Sequence, residues 1–211
     1  MRVAYPILLL LPSPTLLPQA SIPTLRALMR ERTAAAHQLL EATPVMRSFA
    51  GGNATLCDYR IYLRRQFRLH ASLEPDVGPW VPHGWKQDRL VKVEWLLDDL
   101  HAVGAETDYR PIKRPAITST AEALGTLYVL EGGTLGLQVL RKRLHPDHPA
   151  LHGAGRFMRG YELNTGRNFR EFIDRLETLP ASQWPPAIAA AIATFSAFQR
   201  VYAERAGPRD G

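Results

Sequence analysis

A chain of 211 residues, 45% hydrophobic and 22% charged, can bury one real core and needs no second domain. A formal charge of +6 favours an anionic ligand or partner, such as a carboxylate, a phosphate or nucleic acid. The single cysteine, Cys57, excludes an internal disulfide framework and a multi-cysteine metal site, and it fits a reducing, cytoplasmic setting.

Residues 1–20 hold Arg2, an apolar run from Ile7 to Leu11, and prolines at 6, 12, 14 and 18. The run faintly resembles a signal sequence, but it is broken by proline and too short to span a bilayer. This segment reads as a Pro-rich extension outside the fold, residues 21–205 as one helical domain, and residues 206–211 as a flexible tail. "SIPTLRALMRERTAAAHQLLEAT" opens with Ser21 or Thr24 as N-cap, has Pro23 in the first turn and stops before Pro44. "ATLCDYRIYLRRQFRLHASLE" follows a Gly-Gly-Asn break, with Leu56, Tyr59, Tyr62, Leu63, Phe67 and Leu73 at helical spacing. "KQDRLVKVEWLLDDLHAV" reads as a third amphipathic helix ending at Gly104. The stretch 105–116, with Pro111 and Pro115, reads as a loop. Thr118 or Ser119 opens the next helix, which runs to about Leu144, and "NFREFIDRLETL" and "PAIAAAIATFSAFQRVYAER" supply two more. No stretch alternates with period two, so the chain reads as all-α.

The helix opened by Ser119 carries an anomaly. Gly132, Gly133 and Gly136 interrupt it, with Gly125 upstream. Each interior glycine costs about 1 kcal/mol relative to alanine, so the central three oppose the helix by roughly 3. Their use is a close approach, either to another helix or to a ligand.

Among the seven histidines, His145, His148 and His152 sit in a Pro-rich break and read as solvated. His83 reads as a loop residue, and His70 and His101 have no obvious partner. His37 has Thr33 four residues before it and Glu41 four after. At i,i+4 spacing Glu41 can accept from Nδ1–H and leave Nε2 as an outward lone pair, as behind a metal-ligating histidine. The same spacing also fits an ordinary surface pair. Cys57 reads as core rather than nucleophile. Arg64, Arg65 and Arg68 lack a nucleic-acid motif and read as a solvated face.

Two segments together resemble the heme oxygenases. "RERTAAAHQLLEATPVMRSFAGG" is similar to that family's first helix, with its Thr-x-x-x-His-x-x-x-Glu core and following turn. "LGTLYVLEGGTLGLQVLRK" resembles its distal helix, and the Tyr-Val-x-Glu-Gly opening is closer to bacterial members, including those associated with bacteriophytochromes. A weaker match runs through "NFREFIDRLE" and "IATFSAFQRVYAE", so the resemblance covers about residues 22–205.

The resemblance implies a single-domain, all-α bundle with heme b sandwiched between proximal and distal helices. His37 is then the proximal iron ligand, and Gly132, Gly133 and Gly136 cover the opposite face. Arg30, two turns before His37 and about 10 Å away along the helix axis, stands where the family has a lysine that pairs with a propionate. Thr33, Glu41, Tyr128, Leu137, Arg170 and Phe195 complete the pocket. Heme is implied as both substrate and cofactor, cleaved with O2 and electrons from a ferredoxin, flavodoxin or reductase to biliverdin, CO and iron. The implied partners are an acidic electron donor and a bacteriophytochrome accepting biliverdin, with no nucleic acid or membrane. Three departures stand out. Gly133 replaces a distal Asp, and Leu137 replaces a Gly or Ala. Asp174 stands where some members have a propionate-pairing Arg, with Arg167 or Arg175 as substitutes. A heme-binding protein without turnover, and a thiaminase-like enzyme using Cys57, are the alternatives on the same fold.

Overall fold

Side chains placed at helix starts divide this chain into elements. In the computed structural model, which describes residues 23–107 and 109–204, Thr24 caps α1 (Leu25–Glu41) by accepting the Ala27 N–H. Thr55 and Asp58 cap α3 (Leu56–Val77) reciprocally, and Ser119 accepts the Glu122 N–H at the start of α6 (Thr120–Arg141). Pro23 precedes the α1 cap instead of lying in the first turn. The expectations for the N-terminal extension, Ser21 and the tail lie outside the described residues.

Pro44 does end the first helical run, and it then opens a further helix, α2 (Pro44–Ala50), because its missing N–H is no loss at a first-turn position. The third expected helix is two, α4 (His83–Arg89) and α5 (Lys92–Ala102). Leu90 and Val91 leave helical geometry between them, and the Arg89 carbonyl accepts from the Lys92 ammonium at 2.7 Å. The break lets two charged residues turn inward together. His83 accordingly starts a helix rather than sitting in a loop. The glycine-bearing α6 is continuous and stops at Arg141, three residues earlier than expected. The chain then passes through a short α7 (Arg156–Arg159) to α8 (Thr165–Glu177) and α9 (Trp184–Ala203).

α9 packs along both α6 and α1, α8 packs on α6 and α1, and α3 lies against α5. Leu124, Leu127 and Leu130 of α6, Phe195 and Phe198 of α9, and Tyr62, Leu63 and Leu69 of α3 share one buried core. Among the described residues α6 alone is long and apolar enough to cross a membrane. Its apolar stretch is 56% buried within the bundle, which accounts for its composition.

The basic face of α3 is not simply solvated. Arg60, Arg64 and Arg68 donate to the carbonyls of Val103, Glu106 and Arg110, at 3.0, 3.0 and 3.3 Å, one helical turn apart. Arg114 returns the tie to the Ser72 carbonyl at 2.8 Å. The expected loop is therefore stapled along α3. Arg65 donates to the Glu204 carbonyl, and Cys57, expected in the core, is exposed near the start of α3.

Candidate functional site

α1 comes up to α6 beside Thr33 and Tyr128, and α2, which follows α1, is tied to the end of α6. Tyr128 lies beside Thr33, whose hydroxyl donates to the Met29 carbonyl at 2.7 Å, while Arg143, just past α6, donates to the Ala50 carbonyl of α2 at 2.9 Å. Gly52 lets the chain pass there: it has φ +76°, and a Cβ on it would lie 2.7 Å from the Arg143 carbonyl oxygen. One turn beyond Thr33 comes His37, and one turn beyond Tyr128 comes Gly132, followed by Gly133 and Gly136. Between these two contacts stand His37 on α1 and the glycines on α6, and the space between those segments is the candidate cleft. α9 packs against both helices.

The glycines divide into two kinds. A Cβ on Gly125 would lie 2.0 Å from the Ala187 carbonyl oxygen, so that glycine serves the close crossing of α6 and α9. A Cβ on Gly132, Gly133 or Gly136 would meet nothing within 4 Å. Protein packing does not require these three; they keep one face of α6 low and open. Leu137 beside them is only 4% exposed and belongs to the core. Its bulk is already taken up by protein.

On the other wall, His37 Nδ1 lies 3.5 Å from the Glu41 carboxylate, and both side chains are more than half exposed. The pair adds little stability, and a carboxylate on the Nδ1 side favours the tautomer with the proton there. Phe195, from α9, meets the imidazole in a T-shaped contact with centroids 5.8 Å apart and planes at 73°. Gln199, one turn further along α9, donates to the Ala36 carbonyl at 2.9 Å. At the other end of α1, the Glu177 carboxylate of α8 accepts from the N–H groups of Leu25 and Arg26 at 3.1 and 2.8 Å. Neither Gln199 nor Glu177 has a local signal in the sequence, since each acts on a residue more than a hundred positions away.

Two guanidiniums of α1 lie near Tyr128. Burial raises the Tyr128 hydroxyl above its ordinary pKa, while the Thr33 hydroxyl and the nearby Arg26 and Arg30 guanidiniums pull it back. Arg30 is exposed on α1, and Arg170 is exposed on α8 with its guanidinium over Gly166. Of the residues weighed as substitutes at Asp174, Arg167 pairs with Glu171 at 3.6 Å and lines a different, polar cavity of about 660 Å³. Asp174 and Arg175 are exposed.

Two histidines differ from expectation. His148 is 5% exposed, its Nδ1 accepting the Ala150 N–H, and His70 is 2% exposed with Nδ1 2.9 Å from Glu74. Among the described residues no three His, Cys, Asp or Glu side chains gather as a metal cluster. A planar group with its own four in-plane donors needs from the protein only an axial ligand, a flat opposite wall and cations for its carboxylates. His37, the open glycine face of α6 and the guanidinium of Arg30 are groups of these three kinds, so the residues present are compatible with a heme.

Comparison with known proteins identifies the family. A sequence model described as heme oxygenase matches residues 23–204. A heme oxygenase from Xanthomonas campestris pv. campestris (strain 8004) is 32% identical over 171 residues, spanning 78% of this chain and 100% of its own length. Among solved structures, the NO- and CO-bound heme oxygenase from Neisseria meningitidis has a TM-score of 0.67 at 23% identity, covering 86% of this chain and 91% of its own. The heme oxygenase from Leptospira interrogans has a TM-score of 0.62 at 18% identity, covering 85% and 98%. With every described residue inside the matched region, the chain belongs to the heme oxygenase family.

Proposed function

We propose that the chain acts as a heme oxygenase whose cleft between α1 and α6 binds heme b and cleaves it at a meso carbon to biliverdin, CO and iron. One observation carries the assignment to this cleft: an oriented, half-exposed His37 stands on one wall, and three glycines with unfilled Cβ positions stand on the other. When bound, heme supplies both the redox-active iron at which O2 is reduced and the carbon skeleton that is oxidised.

The chain's residues supply the rest. His37 Nε2 ligates, Glu41 holds the Nδ1 proton, and Phe195 limits rotation of the ring. Arg30 and Arg170 take the propionates, with Thr33 and Tyr128 closing that end and Leu137 backing the distal wall. A neutral imidazole withholds the electron push of a thiolate. Gly132, Gly133 and Gly136 offer no side-chain acid or base, so water held on backbone groups delivers the distal protons. The chain's net positive charge suits an acidic ferredoxin, flavodoxin or reductase, and the cytoplasm is the setting. A bacteriophytochrome is the proposed biliverdin acceptor.

The test supplies purified protein with hemin, a reductant and O2, with catalase present to remove free peroxide. The Soret band should decay as bilin absorbance grows, and His37→Ala should change the Soret band and abolish turnover. Heme that binds but persists would favour a carrier. Failure to bind heme, with Cys57-dependent hydrolysis of a thiamine pyrimidine, would favour the thiaminase-like reading.

A further inference from the structure

Glu131 immediately precedes Gly132, yet it is 2% exposed on a helix with an open cleft on its glycine side. One carboxylate oxygen accepts from the Lys92 ammonium at 2.6 Å and the Tyr161 hydroxyl at 2.9 Å; the other accepts from Arg89 at 3.2 Å. Lys92 has no hydrogen-bonding capacity left over, since it also donates to the Arg89 carbonyl at 2.7 Å and the Tyr161 hydroxyl at 2.6 Å. Burial and the neighbouring carboxylate push the Tyr161 hydroxyl well above its ordinary pKa, so it remains a donor. The α4–α5 break, the middle of α6 and the turn before α8 meet at this one carboxylate.

The same turn touches α6 twice more. Gly160, at φ +55°, comes so near that a Cβ there would lie 2.9 Å from the Thr134 methyl. Glu162 holds a left-handed φ of +53°, a costly conformation for a side chain of its kind, and its carbonyl accepts from Gln138 at 2.9 Å. Residues 131, 134 and 138 lie along the back of the glycine segment. A buried ion cluster contributes little net stability compared with well-packed apolar side chains. Interior glycines make a helix easy to bend. Strain and buried charge concentrated behind that one stretch require a reason other than stability.

We propose that Glu131, clamped by Lys92, Arg89 and Tyr161, and the 160–162 turn brace the glycine segment of α6 from behind, making these positioning residues that set how closely its backbone approaches a ligand in the cleft. This inference rests on the heme oxygenase reading, because the ligand whose surroundings it sets is heme.

Tyr161→Phe removes one hydrogen bond from the clamp, and Gln138→Met removes the tie to the turn from a more exposed position. Each variant is loaded with hemin, reduced and given CO as a probe of the distal space. Apo thermal stability, hemin affinity, the C–O stretching band and biliverdin yield are then measured. A brace predicts hemin affinity near wild type, a shifted or split C–O band, and turnover lower by roughly ten- to a hundredfold. Tyr161→Phe should show the larger effect. If the variants lose thermal stability but keep the wild-type C–O band and turnover, the cluster is structural only and the proposal is overturned. If Tyr161→Phe does not fold, Gln138→Met decides by the same criteria. A wild-type protein that forms no hemin complex overturns the family-based reading along with the brace, whereas a normal complex with indifferent variants overturns the brace alone.

Discussion

His37 and Glu41 are each more than half exposed, so the value of their pairing lies in direction rather than in stability. Arg30, on the same helix, should matter through charge. Replacing Arg30 by Glu should raise the hemin dissociation constant by about tenfold, the equivalent of about 1.4 kcal/mol. Reversing the exposed Lys86, on α4, should leave it unchanged. Equal effects in a hemin titration would mean that only net charge acts. Arg64 and Arg68 are unsuitable controls, because they hold the loop against α3. His148 gives a pH signature. Burial lowers its pKa below the ordinary 6.5, so as pH falls the unfolded chain takes up the proton first. Its stabilising contribution is complete above that value and is lost as pH drops through the lowered one. Urea unfolding at pH 7.5 and 5.5 should show wild type losing more stability on acidification than His148→Asn. Equal losses would refute this.

At the scale of a helix, α6 uses the same residue type for two opposed purposes. Gly125→Ala places a methyl into the Ala187 carbonyl and should destabilise the apo protein by about 1–3 kcal/mol as the α6–α9 crossing opens. Gly132→Ala meets no atom and improves helix propensity, so it should stabilise the apo protein by up to about 1 kcal/mol. The same methyl stands in the cleft, and it should weaken hemin binding or slow turnover. Calorimetry of the two apo variants should therefore give shifts of opposite sign. Two losses of similar size would place Gly132 in packing after all. The arginine ladder of α3 shows the converse economy, with side chains at i, i+4 and i+8 all holding one loop that has no helix or strand among its described residues.

For the molecule as a whole, the candidate cleft is a gap between α1 and the glycine segment of α6, and α9 packs on both helices. A ligand that bridges the walls ties α1 to α6 and binds only the folded chain. Hemin at a hundred times its dissociation constant should add about 2.7 kcal/mol of stability. In a chain of this length that corresponds to a rise in Tm of roughly 5–10 °C. His37→Ala should lose most of the rise, since one wall then lacks its bond. A rise of the same size in that variant would mean that hemin binds somewhere other than this cleft.

The sequence by itself determined what depends on neighbours within a few turns. The caps at Thr24 and Ser119, each one of two candidates, the i,i+4 pairing of His37 with Glu41, the all-α class and the anomaly of the glycine cluster were all legible, because a helix brings those groups together by its own geometry. The family motifs added the expected role of each wall. Only the tertiary structure decided which glycine serves packing and which leaves space, since Gly125 and Gly132 are chemically identical and differ only in what lies opposite. The same holds for the burial of His148 and His70, the exposure of Cys57, the inward turn of Arg89 and Lys92, and the hold of Gln199 and Glu177 on α1. Each of these depends on residues distant in sequence, and no local periodicity encodes which distant side chain a folded chain brings alongside.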